Sequence, residues 1–155
     1  MSVRFRHLDI DPDAPVETWP TEGLIAALER GSLQEWRRVA RSVRTDPWSP
    51  TARRLEDALA ATRPYGVAPL MERMLHDARR HAEAEERAEV ARRVTALLES
   101  SGLSRRAFAE AIGTSPSRLS TYVTGRVAPS STLLVRMERV ARGRPDPSPE
   151  RRGEG

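Results

Sequence analysis

The chain contains no cysteine. That excludes disulfides, thiolate metal sites and a cysteine nucleophile. Lysine is absent as well, so all 26 basic residues are arginine. Codon bias in a GC-rich genome accounts for such usage, but the consequence is physical: a planar guanidinium suits phosphates and guanine edges. No stretch approaches the roughly 18 apolar residues of a membrane-spanning helix. The opening Met1-Ser2-Val3-Arg4-Phe5-Arg6 has no apolar signal-peptide core. The expectation is a bacterial cytoplasmic protein without membrane association. Histidines are not clustered with carboxylates, and there is no glycine-rich phosphate loop and no nucleophile elbow, which predicts no enzyme and no cofactor. Asp9-x-Asp11-x-Asp13 opens like a calcium loop, yet the required glycine and final glutamate fall on Ala14 and Pro20. His76 and His81 are five residues apart and do not share a helical face, so no metal site is expected.

What is present fits one medium domain or two small ones: 155 residues, 38% hydrophobic and 31% charged. The net charge of +4 is unevenly placed. Residues 101–142 hold seven arginines and two glutamates, a net of +5, whereas residues 82–100 are net acidic. A polyanion is therefore the natural partner of the basic block.

Residues 3–10 alternate weakly, as a short strand would, and residues 11–19 read as loop. Arg4 and Arg6 suit a strand edge or an arm for a DNA minor groove. Helical signals follow. Leu24, Ile25, Ala27 and Leu28 share a face before Gly31. Ser32-Leu33-Gln34-Glu35 is a capping box, opening a helix with Leu33, Trp36, Val39, Ala40 and Val43 on its apolar side. Ser49-Pro50 starts another, with Leu55, Ala58 and Leu59 inward. Pro69 starts a fourth, with Leu70, Met71, Met74 and Leu75 inward. From there to Glu99 the chain reads as nearly continuous helix, with a break near His81 equally allowed. Trp19, Trp36 and Trp48 are assigned to the N-terminal core, with a partner groove as the alternative use of one of them. The expected organisation is residues 1–19 as arm or loop, 20–80 as a helical dimerisation or partner-binding domain, 81–143 as a second helical domain, and 144–155 as a disordered tail.

Residues 103–137 carry the most specific pattern. Ser104 caps a short helix with Phe108, Ala111 and Ile112 as its apolar positions and Ala109 at its middle, and Gly113 follows. Ser115-Pro116 opens a second short helix, with Leu119, Tyr122 and Val123 inward and Gly125 at its end. Ser130 or Ser131 caps a last helix with Leu133, Leu134, Met137 and Val140. Two short helices that cross steeply need a small residue at the contact, here Ala109. The tight turn between them needs a residue that tolerates positive φ, here Gly113. The second helix keeps Ser117, Arg118, Ser120 and Thr121 on its other side. A helix held by one face and polar on the other fits a major groove.

With these residues in register, segment 94–140 resembles the lambda-repressor/Cro family of helix-turn-helix domains. Phe108, Ala109, Ile112, Gly113, Ser115, Leu119, Tyr122, Gly125 and Pro129 carry the resemblance. Thr114 departs from it, standing where relatives have Val or Ile. The resemblance covers about a third of the chain and implies a compact bundle of about five helices that works as a homodimer on double-stranded DNA. With the helical pattern of the preceding residues, the expected fold is all-α: a small N-terminal helical domain joined by a long helix to this helix-turn-helix bundle. The resemblance places Ser115, Pro116, Ser117, Ser120 and Thr121 toward bases, Arg118 toward a guanine or a phosphate, and Arg105 and Arg126 toward phosphates. The expected function is a transcriptional regulator, a repressor. The alternative is an antitoxin that neutralises a toxin protein through its N-terminal part and represses its own operon. A protein-interaction adaptor that no longer uses DNA is a further alternative.

Overall fold

The structure is a computed structural model and describes residues 10–143. The expectations for residues 3–9, including the Arg4 and Arg6 arm, and for residues 144–155 lie outside them. Among the described residues the fold is all-α, with seven α-helices: α1 Thr21–Arg30, α2 Leu33–Thr45, α3 Pro50–Ala61, α4 Val67–Ser101, α5 Arg105–Ile112, α6 Pro116–Val123 and α7 Ser131–Arg142. The chain divides into two units between Glu83 and Ala84, inside α4.

In the first unit, a 3-10 turn at Val16–Thr18 interrupts the segment expected to be loop, and it buries Val16. Arg38 explains why this segment is ordered. Its guanidinium donates to the Pro12 and Ala14 carbonyls, both at 2.8 Å, and lies 5.0 Å from the Trp19 ring centroid. Trp19 is fully buried beside Leu24, Leu28, Val39, Val43, Leu55 and Leu59. Gly31 ends α1 with φ −73°, so positive φ is not what selects glycine there. A Cβ at this position would come within 2.2 Å of the Ala27 carbonyl oxygen. Ser32 and Glu35 form the capping box of α2: the Ser32 hydroxyl accepts from Gln34 N–H at 3.3 Å, and the Glu35 carboxylate accepts from Ser32 N–H at 2.8 Å. Trp36 Nε1 donates to the Ala27 carbonyl at 2.8 Å, tying α2 to α1.

Three large apolar residues of this unit stand further out than their pattern suggests. Leu33 is 53% exposed, Leu70 56% and Trp48 46%. Leu70 lies just off the buried stripe of Val67, Met71, Met74 and Leu75. Trp48 is covered by the Arg79 guanidinium, 5.1 Å from its ring centroid, instead of entering the core. The helix α4 begins at Val67, two residues before the expected start. Pro69 is tolerated because first-turn N–H groups have no intrahelical acceptor to lose. No break occurs near His81: α4 runs 35 residues, its middle filled with the helix formers Ala, Glu and Arg. Glu89 pairs with Arg93 at 3.3 Å and with Arg92 at 2.5 Å.

The core of the second unit is Val94 and Leu98 from α4, Phe108, Ala109 and Ile112 from α5, Leu119 and Tyr122 from α6, and Leu133 and Met137 from α7. Ser101 closes α4 with a buried hydroxyl that donates to the Leu98 carbonyl at 2.6 Å and accepts from Leu103 N–H at 3.1 Å.

Candidate nucleic-acid interface

Helices α5 and α6 are eight residues each, too short to hold themselves together in water, so their ends and buried faces carry the structure. Ser104 caps α5 by accepting from Ala107 N–H, and Ser115 caps α6 by accepting from Arg118 N–H, each at 3.2 Å. Both helices end in the same way. Gly113 adopts φ +77°. Its N–H donates to the Glu110 carbonyl at 3.1 Å, and the next N–H, of Thr114, reaches back to Ala109 at 2.9 Å. Gly125 adopts φ +75°. Its N–H donates to Tyr122 at 3.3 Å, and Arg126 N–H to Thr121 at 3.0 Å. These paired bonds satisfy carbonyls that a helix end would leave without partners.

The turn after α5 has a further support that the motif does not announce. Arg136 of α7 directs Nη1 to the Ile112 carbonyl at 3.5 Å, tying the last helix to the turn between α5 and α6. Its i, i+3 position beside the buried Leu133 was the only signal available in the chain.

The α6 helix is anchored through Leu119 and Tyr122, both buried. At about 100° of rotation per residue, Ser117, Ser120 and Thr121 point away from these anchors and Arg118 lies on the flank. Ser117 and Arg118 are exposed, while Ser120 and Thr121 are half-buried. Ser115 and Pro116, at the start of α6, are exposed, as are Arg105 at the start of α5 and Arg126 just past the end of α6. Ser115, Pro116, Ser117, Arg118, Ser120 and Thr121 thus share one short helix and its cap, with Arg126 one turn beyond and Arg105 on the preceding helix. None of Arg105, Arg118 and Arg126 forms an ion pair among the described residues.

The hydroxyls differ in what they can still do. Thr121 Oγ1 donates to the Arg118 carbonyl at 2.6 Å, so its proton is committed and only lone pairs face outward. Ser115 is the reverse case: its oxygen accepts from the backbone, and its proton is free to donate. No group of His, Asp and Glu among the described residues is placed to hold a metal ion. No described helix is long and apolar enough to cross a membrane.

Capped short helices, a left-handed glycine between them and an anchored second helix define a helix-turn-helix unit. Residues 94–151 match the family model described as helix-turn-helix, and this C-terminal part is of the lambda-repressor/Cro type. The family is one of DNA-binding regulators rather than enzymes. No curated protein and no solved structure matches the chain.

Proposed function

We propose that the protein is a sequence-specific transcriptional repressor, binding duplex DNA as a homodimer with α6 in the major groove. The observation that carries this reading is the two-sidedness of α6: Leu119 and Tyr122 are buried, while Ser117 and Arg118 are exposed. Ser117, Ser120 and Thr121 meet base edges, with Ser115 and Pro116 at the entry to the groove. Arg118 takes a guanine or a phosphate, and Arg105 and Arg126 hold the phosphate backbone. A dimer sets two such helices on half-sites one turn apart, about 34 Å. The test is selection of bound fragments from the source genome, followed by titration of the selected duplex against salt. A near-palindromic site with half-sites one turn apart, and affinity falling steeply as salt rises, is expected. Absence of binding to any selected fragment at low salt would leave the domain as a protein-interaction adaptor.

A second reading concerns the first unit, where an open groove between α2 and α4 favours a partner protein. An antitoxin would hold its toxin there. Co-purification with the product of an adjacent gene supports that reading, and a free dimer counts against it.

A further inference from the structure

Within the first unit, α2 and the first turns of α4 enclose an open groove of about 630 Å³. Its apolar lining is Leu33, Trp36, Ala40, Leu70, Met71 and Met74. Leu33 and Leu70 are more than half exposed, although folding favours covering them. The charged lining has one sign only: Arg37, Arg41 and Arg44, all exposed and none in an ion pair among the described residues. They stand at i, i+4 and i+7 of one helix, in a row spanning about 10 Å of its axis.

We propose that this groove binds an amphipathic helix of a partner protein. Its apolar stripe sits on Trp36, Leu70 and Met71, and its carboxylates, at matching spacing, face Arg37, Arg41 and Arg44. A small carboxylate would engage one guanidinium and leave the others unused. Three guanidinia in a row along a helix axis fit a ligand with the same rise per residue. A second copy of this chain does not offer that match. Nowhere in the sequence do three acidic residues fall at i, i+4, i+7, nor at i, i+3, i+7 for the opposite direction. The inference rests on the partner reading of the first unit and on no part of the DNA reading.

The test presents the immobilised full chain with a displayed library of amphipathic helices of about five turns. Their apolar stripe is fixed as leucine and all other positions are randomised. Selected helices are expected to carry Asp or Glu at the stated spacing. They should bind about tenfold more weakly to an Arg37→Ser/Arg41→Ser/Arg44→Ser chain, with Leu70→Ser weakening binding independently. All four substituted residues are exposed, so the helical circular-dichroism signal should be kept. Selection of no helix, selection without acidic enrichment, or binding indifferent to the arginine substitutions overturns the proposal. A change in the solution mass of the variants overturns it as well, by giving the groove to a second copy. If acidic helices are selected but no toxin co-purifies, the groove assignment stands and the antitoxin reading falls.

Discussion

Gly113→Ala isolates the turn on which the helix-turn-helix geometry depends. The residue sits at φ +77°, ψ +37°. An added Cβ would meet nothing closer than Arg136 Nη1 at 3.8 Å, so there is room for it and the cost is conformational. Holding an L-residue in the left-handed region costs about 1–2 kcal/mol. A stiffer unfolded chain offsets about 0.4–1 kcal/mol of this. The net loss in the second unit is therefore about 1 kcal/mol. Asparagine, which tolerates this region, should cost less than alanine, and valine, which is β-branched, should cost more. Native-state hydrogen exchange at the amides of Phe108 and Leu119 reads the change directly as faster exchange, about fivefold for 1 kcal/mol. Gly31→Ala is the instructive contrast. There φ is ordinary, and the cost comes from a Cβ 2.2 Å from the Ala27 carbonyl oxygen, so asparagine should give no relief. If Gly113→Ala exchanges as slowly as the parent, or if asparagine is worse than alanine, the left-handed turn is refuted.

Arg126→Ala should weaken binding to all duplexes alike and reduce the salt slope by about one unit, checked by titrations at several salt concentrations. Thr121→Val keeps the side-chain shape and removes the hydroxyl. It should change preference at one base pair per half-site with little effect on non-specific affinity, as read by competition among single-substituted operators. Arg136→Met removes the donor at the end of α5. It should lower the stability of the second unit by about 0.5–1.5 kcal/mol, measured by the same hydrogen exchange. Glu17, Glu35 and Glu56 have carboxyls held below the ordinary value of 4.5, chiefly by hydrogen bonds from Ser42, Ser32 and Arg79 respectively. A carboxyl depressed in the folded state contributes stability above its unfolded value and loses it as pH falls through the folded value. The urea midpoint of the first unit should therefore fall on acidification below pH 4.5, less steeply in Glu56→Gln.

The second unit is legible in the sequence because its signals are local. Ser104, Ser115 and Ser130 each accept from an N–H three residues on, and Gly113 and Gly125 take the positive φ that ends their helices. Each signal acts within a few residues of chain. The first unit is less legible because its faces are set by distant partners. Leu33 and Leu70 satisfy an apolar pattern and Trp48 is a large aromatic, yet whether each is covered is decided by residues remote in sequence: Leu33 and Leu70 stay more than half exposed, and Trp48 meets Arg79. Arg38 shows the same dependence in the opposite sense. A charged residue in the middle of α2 orders residues 12–14 by two carbonyl contacts that no periodicity encodes.

The candidate interface divides along the same line. Which residues lie on the outer face of α6 follows from helical period, because the anchors Leu119 and Tyr122 are strongly apolar. What those residues can recognise does not follow from period. Thr121 gives its proton to the Arg118 carbonyl. A threonine in a helix makes that bond or turns its hydroxyl elsewhere, and sequence does not distinguish the two. With the bond made, Thr121 can only accept, so it suits the amino group of adenine or cytosine and not the O6 or N7 of guanine. Ser117, whose hydroxyl has no partner among the described residues, keeps both capacities and discriminates less. If α6 lies in a major groove, the base facing Thr121 should therefore be the more sharply defined of the two. An operator in which the pair facing Ser117 is the stricter would show that α6 is turned about its axis from the orientation its buried anchors dictate.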